Sequence, residues 1–208
     1  MLRAEDCALV FMAGGHSRRF GPADKLEAGL NGLPLALVAA DRFQGFDWGR
    51  RIAVVQSPAL KSGLQERGFF CLGPASPAAG IGDNIAAAIA QAQTQAEGAE
   101  AALIALADMP NITPDLIQRL LQALDGPVSI ALSRFAGTGS PPALFHKRHF
   151  PALSRLTGDV GAMPVVKAHR SQTAFVTAGA GELQDIDTPD ALDALGSRQG
   201  TLGKGQAR

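Results

Sequence analysis

The sequence predicts an α/β fold: a single domain with a doubly wound, mostly parallel sheet. Short apolar segments of strand length alternate along the chain with longer segments whose apolar residues recur at helical spacing. Several short segments are apolar throughout, which is typical of parallel strands covered by helices on both faces. The length of 208 residues fits one domain of about 100–200 residues or slightly more.

Apolar runs predict five strands, at residues 8–13, 52–56, 69–72, 101–107 and 128–133. Helical spacing predicts five helices, at residues 34–43, 59–67, 84–97, 114–124 and 189–195. Two helix starts are clear, because Thr113 and Thr188 each supply a capping hydroxyl before a proline, with an aspartate in the first turn. Residues 136–142 are rich in Gly and Pro and predict a loop. Residues 196–208 contain almost nothing apolar, so we expect a folded domain at 1–195 and a frayed tail at 196–208.

The composition excludes several classes of protein. Apolar residues make up 46% of the chain and charged residues 18%, which is unlike a disordered chain. Nineteen basic residues balance nineteen acidic ones, so the chain has no basic field for nucleic acid. No apolar run approaches the roughly 20 residues of a membrane span, and the acidic start is the reverse of a secretory leader. We therefore expect a cytoplasmic protein that binds neither nucleic acid nor a membrane.

The cysteines and histidines suggest no chemistry of their own. Cys7 and Cys71 each lie in an apolar segment, and we expect both to pack in the core. The four histidines show neither metal-ligand spacing nor the order of a hydrolase triad, so most are expected on the surface.

A glycine-rich loop with several cations follows the first predicted strand. It runs from Ala13 through Gly14 and Gly15 to Lys25. Its glycines allow the backbone to offer N–H groups to an anion, and Arg19 and Lys25 are suited to balance the charge of a triphosphate leaving group. The glycine spacing differs from the dinucleotide-binding fingerprint and from a P-loop, which disfavours hydride transfer and P-loop hydrolysis. An ordinary strand-to-helix turn with exposed arginines is the alternative.

Two aspartates are candidate Mg²⁺ ligands. Asp108 follows the apolar strand at 101–107, and Pro110 discourages that strand from continuing. Mg²⁺ takes one or two protein carboxylates and fills its other positions with water and phosphates. The alternative is that Asp108 only caps a turn. Asp187 precedes the helix cap and is a candidate second ligand, whereas the helix dipole alone explains Asp190.

Together, the loop, residues 107–110 and residues 185–190 resemble the nucleotidyltransferases of molybdenum cofactor biosynthesis, most of all the cytidylyltransferase branch. The resemblance covers residues 8 to about 195 and implies a Rossmann-like, nucleotide-diphospho-sugar transferase-like fold, with donor and acceptor in one cleft. The opening motif of that family matches at Ala13, Gly14, Gly15, Ser17, Arg19, Gly21 and Lys25.

The resemblance also implies roles for individual residues. Arg19 and Lys25 are the candidate phosphate clamp, and Asp108 is the candidate catalytic metal ligand, with Asp187 as the second. Residues 77–85 correspond to the segment that senses the nucleobase. The implied nucleotide-binding residues are Ala13, Gly14, Gly15, Ser17, Arg18, Gly21, Gly80 and Asn84. The implied acceptor-binding residues are Gly139, Ser140, Asp159, Gly161 and Ala162.

The sequence departs from the cytidylyltransferase pattern at several positions. Asn84 stands where that branch usually has serine. Val160 and Met163 replace a lysine and an arginine, so the acceptor pocket loses two cations that would suit a phosphate. Gly14 is typical of the guanylyl branch, while residues 139–188 are closer to the cytidylyl branch, so CTP and GTP both stay open.

The resemblance therefore implies Mg²⁺-dependent transfer of CMP or GMP from an NTP to a phosphate-bearing acceptor, with release of pyrophosphate. Molybdopterin is the first acceptor expected, with a molybdoenzyme or its chaperone as a further partner. One alternative is a sugar phosphate or another small phosphorylated acceptor. A second is a non-catalytic nucleotide-binding regulator or cofactor chaperone on the same fold. Retention of Lys25 and Asp108 argues against the second, because a binding module has less need to neutralise a leaving group.

Overall fold

A computed structural model of the protein describes residues 2–14, 24–94 and 98–203. The strands of these residues are β1 (Cys7–Ala13), β2 (Gly29–Leu30), β3 (Leu33–Pro34), β4 (Arg50–Val55), β5 (Phe70–Leu72), β6 (Ala101–Leu106), β7 (Ile130–Phe135), β8 (Thr138–His146) and β9 (Thr173–Thr177). The helices are α1 (Leu35–Asp41), α2 (Pro58–Glu66), α3 (Ile81–Ala92), α4 (Pro114–Ala123), α5 (Phe150–Leu153), α6 (Met163–Ala168) and α7 (Pro189–Gly203). Among the described helices, none is both long and apolar enough to cross a membrane.

Seven strands form one sheet in the order β5-β4-β1-β6-β8-β7-β9. β8 runs antiparallel to its neighbours β6 and β7, and the other pairs in the sheet are parallel. The predicted α/β class and mostly parallel sheet are confirmed. Because β1, β4 and β6 run parallel, their carboxyl ends meet at one edge, where open α/β sheets bind ligands.

The sheet is buried between two layers of helices. Residues of β1 alternate between the two sides: Leu9 and Phe11 pack toward α1, α2 and α4, while Val10 packs toward α3, α5 and α6. Burying such a side chain stabilises the fold by about 1.5–3 kcal/mol. The two-sided burial explains why β1 is apolar at every position. A third, smaller cluster docks α7 on α1 and on the β2–β3 hairpin, and its members are Leu30, Leu35, Ile186, Leu192 and Leu195.

The loop predicted at residues 136–142 is wrong, because β8 begins at Thr138. The chain turns at Ala136 and Gly137, both with positive φ, and returns directly along β7. Gly139 allows the close return, since a Cβ there would lie 2.5 Å from a methyl group of Leu132. The register shifts by a bulge after Leu132, which accommodates the glycine- and proline-rich stretch within a strand.

The structure adds elements that sequence periodicity did not predict. These are the β2–β3 hairpin, the edge strand β9 and the short helices α5 and α6. Each spans nine residues or fewer, so none is long enough to show a clear period. α3 begins at Ile81 rather than residue 84. α7 continues to Gly203, into the segment expected to be a frayed tail.

Candidate active site

A cleft of about 610 Å³ opens at the carboxyl ends of β1 and β6. Met12 and Gly14 line it from the end of β1, and Leu106 and Asp108 from the end of β6. The other residues that line the cleft are Lys25, Leu26, Pro77, Ala78, Ala79, Gly80, Ile81, Asn84 and Asp159. The cleft therefore brings together residues expected to bind the nucleotide, the metal and the acceptor.

Lys25 joins the two candidate metal ligands. It begins a 3₁₀ turn capped by Asp24, whose carboxylate accepts the N–H of Leu26 at 2.9 Å. The Lys25 side chain is 9% exposed, and its Nζ donates to Asp108 Oδ2 and to Asp187 Oδ1, both at 2.8 Å. These partners are 83 and 162 residues away in the chain. The Lys25 ammonium thus links three segments that are far apart in the sequence.

Backbone pairing places Asp187 beside Asp108. The carbonyl oxygen of Asp108 accepts the N–H of Ile186 at 3.0 Å, and the Ile186 side chain is fully buried in the cluster under α7. Asp187 follows directly, and Thr188 then caps α7 by accepting the N–H of Ala191 at 3.2 Å. The cap predicted at Thr188 is confirmed, and it fixes where the preceding aspartate lies.

The electrostatics keep Lys25 charged. Burial lowers the pKa of Lys25, but the hydrogen bonds and negative charges of Asp108 and Asp187 together outweigh burial and hold that pKa above its ordinary value. The ammonium is therefore present at neutral pH and can donate to phosphate oxygens.

The donor set fits a hard divalent cation. Asp108 Oδ1 is buried and has no hydrogen-bond partner among the described residues, and a buried oxygen left unpaired costs about 1–3 kcal/mol or more. Asp108 and Asp187 offer the carboxylate oxygens that Mg²⁺ prefers. In the described part of the chain, no group of three or more His, Cys, Asp or Glu residues is placed to hold a metal. A pair of carboxylates agrees with the few protein ligands that Mg²⁺ takes.

Asn84 lies in the segment expected to sense the nucleobase and holds the loop that precedes this segment. This side chain is 3% exposed, and its Oδ1 accepts the N–H of Ala75 at 3.0 Å. A Cβ on Gly14 would lie 3.8 Å from Asn84 Nδ2, so the amide also borders the end of β1. Gly80 lines the cleft, but a side chain there would overlap the backbone of Gly158. Packing against the backbone of Gly158 thus requires a glycine at position 80, and the expected role of Gly80 in nucleotide binding stays a prediction.

The predicted acceptor residues are spread more widely. Asp159 lines the cleft, and Ala162 precedes α6. Gly139 and Ser140 lie in β8, paired with β7, and among the described residues they are not part of the cleft wall. Gly161 is likewise outside that wall. Beside Asp159, the apolar side chains of Val160 and Met163 are 49% and 38% exposed.

Several residues of the glycine-rich loop fall outside the described residues: Gly15, Ser17, Arg18, Arg19 and Gly21. Their roles stay predictions. Ala13, the first residue of that motif, is buried in the core at the end of β1.

Asp83 is a site residue that sequence reasoning missed. From the third position of α3, its Oδ2 accepts the N–H of the N-cap residue Gly80 at 2.9 Å, and it also accepts the N–H of Gly158 at 2.9 Å. The signal was an acidic residue three positions after a glycine. It was missed because the predicted helix began at residue 84, one position later.

His149 is not on the surface, contrary to the expectation for most histidines. It is 2% exposed, and its Nε2 lies 2.8 Å from the Oγ of Ser129. Burial lowers the pKa of His149 to about 4, helped by the nearby charges of His169, Arg148 and His146. It does not line the cleft.

Comparison with known proteins agrees with this geometry. Residues 9–173 match the family described as the MobA-like NTP transferase domain. Over 118 residues the chain is 34% identical to the purine catabolism protein PucB of Bacillus subtilis, and the match spans 56% of this chain and 56% of that relative.

Solved structures share the fold. The Rv0371c homologue from Mycobacterium sp. strain JC1 is 21% identical with a TM-score of 0.77, over 95% of this chain and 98% of that one. Rv0371c of Mycobacterium tuberculosis, in complex with manganese, is 20% identical with a TM-score of 0.68, over 92% and 98%. The molybdopterin-guanine dinucleotide biosynthesis protein A of Archaeoglobus fulgidus is 17% identical with a TM-score of 0.68, over 93% and 99%.

Proposed function

This chain belongs to the family of MobA-like NTP transferase domains, and from that premise we propose that it transfers CMP or GMP from CTP or GTP to a phosphate-bearing acceptor and releases pyrophosphate. Membership of the family supports nucleotidyl transfer in general. The nucleotide, the acceptor and the metal are the parts that we propose.

The observation that carries the proposal is the ion cluster of Lys25, Asp108 and Asp187 at the carboxyl ends of the strands. A buried ammonium suits phosphate oxygens, and the unpaired Oδ1 of Asp108 suits a cation. Asp108 and Asp187 are the residues that would hold Mg²⁺, and the manganese complex of Rv0371c supports a divalent ion on this fold. When bound, Mg²⁺ supplies positive charge to the phosphates of the nucleotide.

The reaction needs positioning more than proton transfer. A phosphate oxygen of the acceptor attacks the α-phosphorus, a new P–O–P linkage forms, and the bond from the α-phosphorus to its bridging oxygen breaks. Pyrophosphate leaves with the electron pair. The attacking phosphate is already anionic near neutral pH, so no general base is required. Lys25, with Arg19 of the glycine-rich loop, neutralises the charge that grows on pyrophosphate.

For the acceptor we propose molybdopterin, on the resemblance in the motifs and on the fold shared with the Archaeoglobus protein. The exposed Val160 and Met163 beside Asp159 favour a second candidate. The apolar residues at these two positions permit a sugar phosphate or another small phosphorylated acceptor.

The first test is thermal unfolding of the full chain with CTP, GTP, ATP or UTP, with and without Mg²⁺. A ligand at about 100 times its dissociation constant stabilises by roughly 2.7 kcal/mol. We expect a Mg²⁺-dependent shift with CTP or GTP, and pyrophosphate release when molybdopterin is added. Release only with a sugar phosphate would select the second acceptor. Binding without release for every acceptor would contradict the enzyme and favour a nucleotide-binding regulator.

A further inference from the structure

Two segments that border the cleft pack against each other backbone to backbone, with no side chain between them. The start of α3 forms one side, and residues 157–160 form the other. A Cβ added to Gly80 would lie 2.6 Å from the nitrogen of Asp159 and would overlap the carbonyl of Gly158. A Cβ added to Gly82 would lie 2.7 Å from the carbonyl oxygen of Val160. We call this contact the glycine junction, formed by residues 80–83 and 157–160.

Asp83 holds the two sides of the glycine junction together by hydrogen bonds. One carboxylate oxygen, Oδ2, accepts the N–H of Gly80 and the N–H of Gly158, each at 2.9 Å. Gly82 donates its own N–H to the carbonyl oxygen of Gly158 at 2.8 Å. Gly158 has φ +62°, which suits glycine. Hydrogen bonds to an ionised carboxylate are stronger than neutral ones, and a negative charge is favoured near a helix N-terminus.

Both sides of the junction border the cleft. Gly80, the N-cap residue of α3, lines it together with Ile81 and Asn84 of that helix, and Asp159 lines it from the other side. Because backbone touches backbone there, the start of α3 cannot shift without moving residues 157–160. Residues 157–160 include Val160 and continue to Ala162 and Met163, where the acceptor is expected.

We propose that Asp83 is a positioning residue that couples the nucleotide side of the cleft to the acceptor side. This inference rests on the proposed function. A nucleotide that binds residues 77–84 restricts the motion of the start of α3. Through its hydrogen bond to the N–H of Gly158, Asp83 then restricts the motion of residues 157–162 as well. By linkage, an acceptor that orders residues 157–162 tightens nucleotide binding by the same factor.

The test is hydrogen–deuterium exchange on the full chain, with Mg²⁺ and CTP and separately with Mg²⁺ and GTP. In the unmodified protein, the bound nucleotide should slow exchange in peptides covering residues 75–84 and also in peptides covering residues 156–162. In Asp83→Ala, we expect nucleotide still to slow exchange at 75–84, apart from the Gly80 amide, which loses its acceptor. Exchange at 156–162 should become at least tenfold faster and no longer respond to nucleotide. Asp83→Asn keeps one carbonyl acceptor and should give an intermediate response.

Asp115→Ala is the matched control. It also removes an acid from the first turn of a helix, but that acid pairs with Arg119 at 2.7 Å on α4, and neither residue lines the cleft. It should leave the protection pattern unchanged. If nucleotide protects residues 75–84 alone in the unmodified protein, or if Asp83→Ala keeps the response at 156–162, the coupling is overturned and the proposed function stands. If neither nucleotide changes exchange anywhere, the proposed function falls and the coupling falls with it.

Discussion

Replacing Lys25 with methionine tests the ion cluster directly, because methionine keeps a long flexible chain and removes the ammonium. Lys25 Nζ lies 2.8 Å from an oxygen of Asp108 and 2.8 Å from an oxygen of Asp187. The two oxygens are therefore at most twice that distance apart, about 5.6 Å. Without the ammonium, the two carboxylates face each other at short range.

The size of the effect follows from that separation. Two like unit charges about 5.6 Å apart repel by roughly 3 kcal/mol at an effective dielectric constant of about 20. The Asp108 and Asp187 side chains are 21% and 31% exposed, so solvent screens part of the repulsion. We expect Lys25→Met to lower the free energy of unfolding by about 1–3 kcal/mol at pH 7 in low salt.

The assay is urea denaturation with and without millimolar Mg²⁺, in the absence of nucleotide. Mg²⁺ should restore most of the lost stability in Lys25→Met, because it supplies the positive charge that the variant has lost. It should change the unmodified protein little, because Lys25 already donates to both oxygens. The double variant Lys25→Met/Asp108→Asn is the control and should lose the Mg²⁺ response.

A Lys25→Met protein with unchanged stability in both conditions would refute this account of the site. It would mean that the carboxylates of Asp108 and Asp187 do not repel each other when the Lys25 ammonium is removed, and that they do not bind Mg²⁺ together.

Three further results are expected. Asn84→Ala removes the acceptor for the N–H of Ala75 and should weaken nucleotide binding in calorimetry about two- to tenfold, since a hydrogen bond contributes about 0.5–1.5 kcal/mol. Unchanged affinity would contradict a role for Asn84 in shaping the cleft. The pKa of His149 is about 4 in the fold, so the unfolded chain binds more protons between about pH 6.5 and 4, and stability should fall by about 3 kcal/mol as the pH drops through that window. His149→Gln should flatten this pH profile of unfolding, and equal profiles would contradict the assignment. Asp108→Asn should cut Mg²⁺-dependent pyrophosphate release at least a hundredfold while leaving the circular dichroism spectrum unchanged, and substantial remaining release would remove Asp108 from the mechanism.

The parallel strands of the sheet were the most predictable part of the fold. β1 and β6 are apolar along their length because each packs against helices on both faces, and that double burial is visible in the sequence. β8 was not predictable in the same way. Its glycines and prolines signal a loop locally, whereas the strand forms because β6 and β7 offer backbone partners on both sides.

The individual residues of the site were predictable from the sequence, but the contacts among them were not. Asp108 and Asp187 were found from their places after a strand and before a helix cap, which are local signals. That both carboxylates bind Lys25 depends on the backbone hydrogen bond between Ile186 and Asp108 and on the buried Ile186 side chain. Contacts across 83 and 162 residues leave no periodic trace in the sequence.

Gly80 shows how one residue can serve two sides of a site. Resemblance to a family assigned it to the nucleobase, and it does line the cleft. The reason that no larger residue fits is the backbone of Gly158, which lies on the side that we propose for the acceptor. A substitution at position 80 would therefore disturb both of the proposed binding regions at once, even if the new side chain never touched the nucleotide. Loss of nucleotide affinity in such a variant is not evidence for a base contact unless the exchange of residues 156–162 is unchanged.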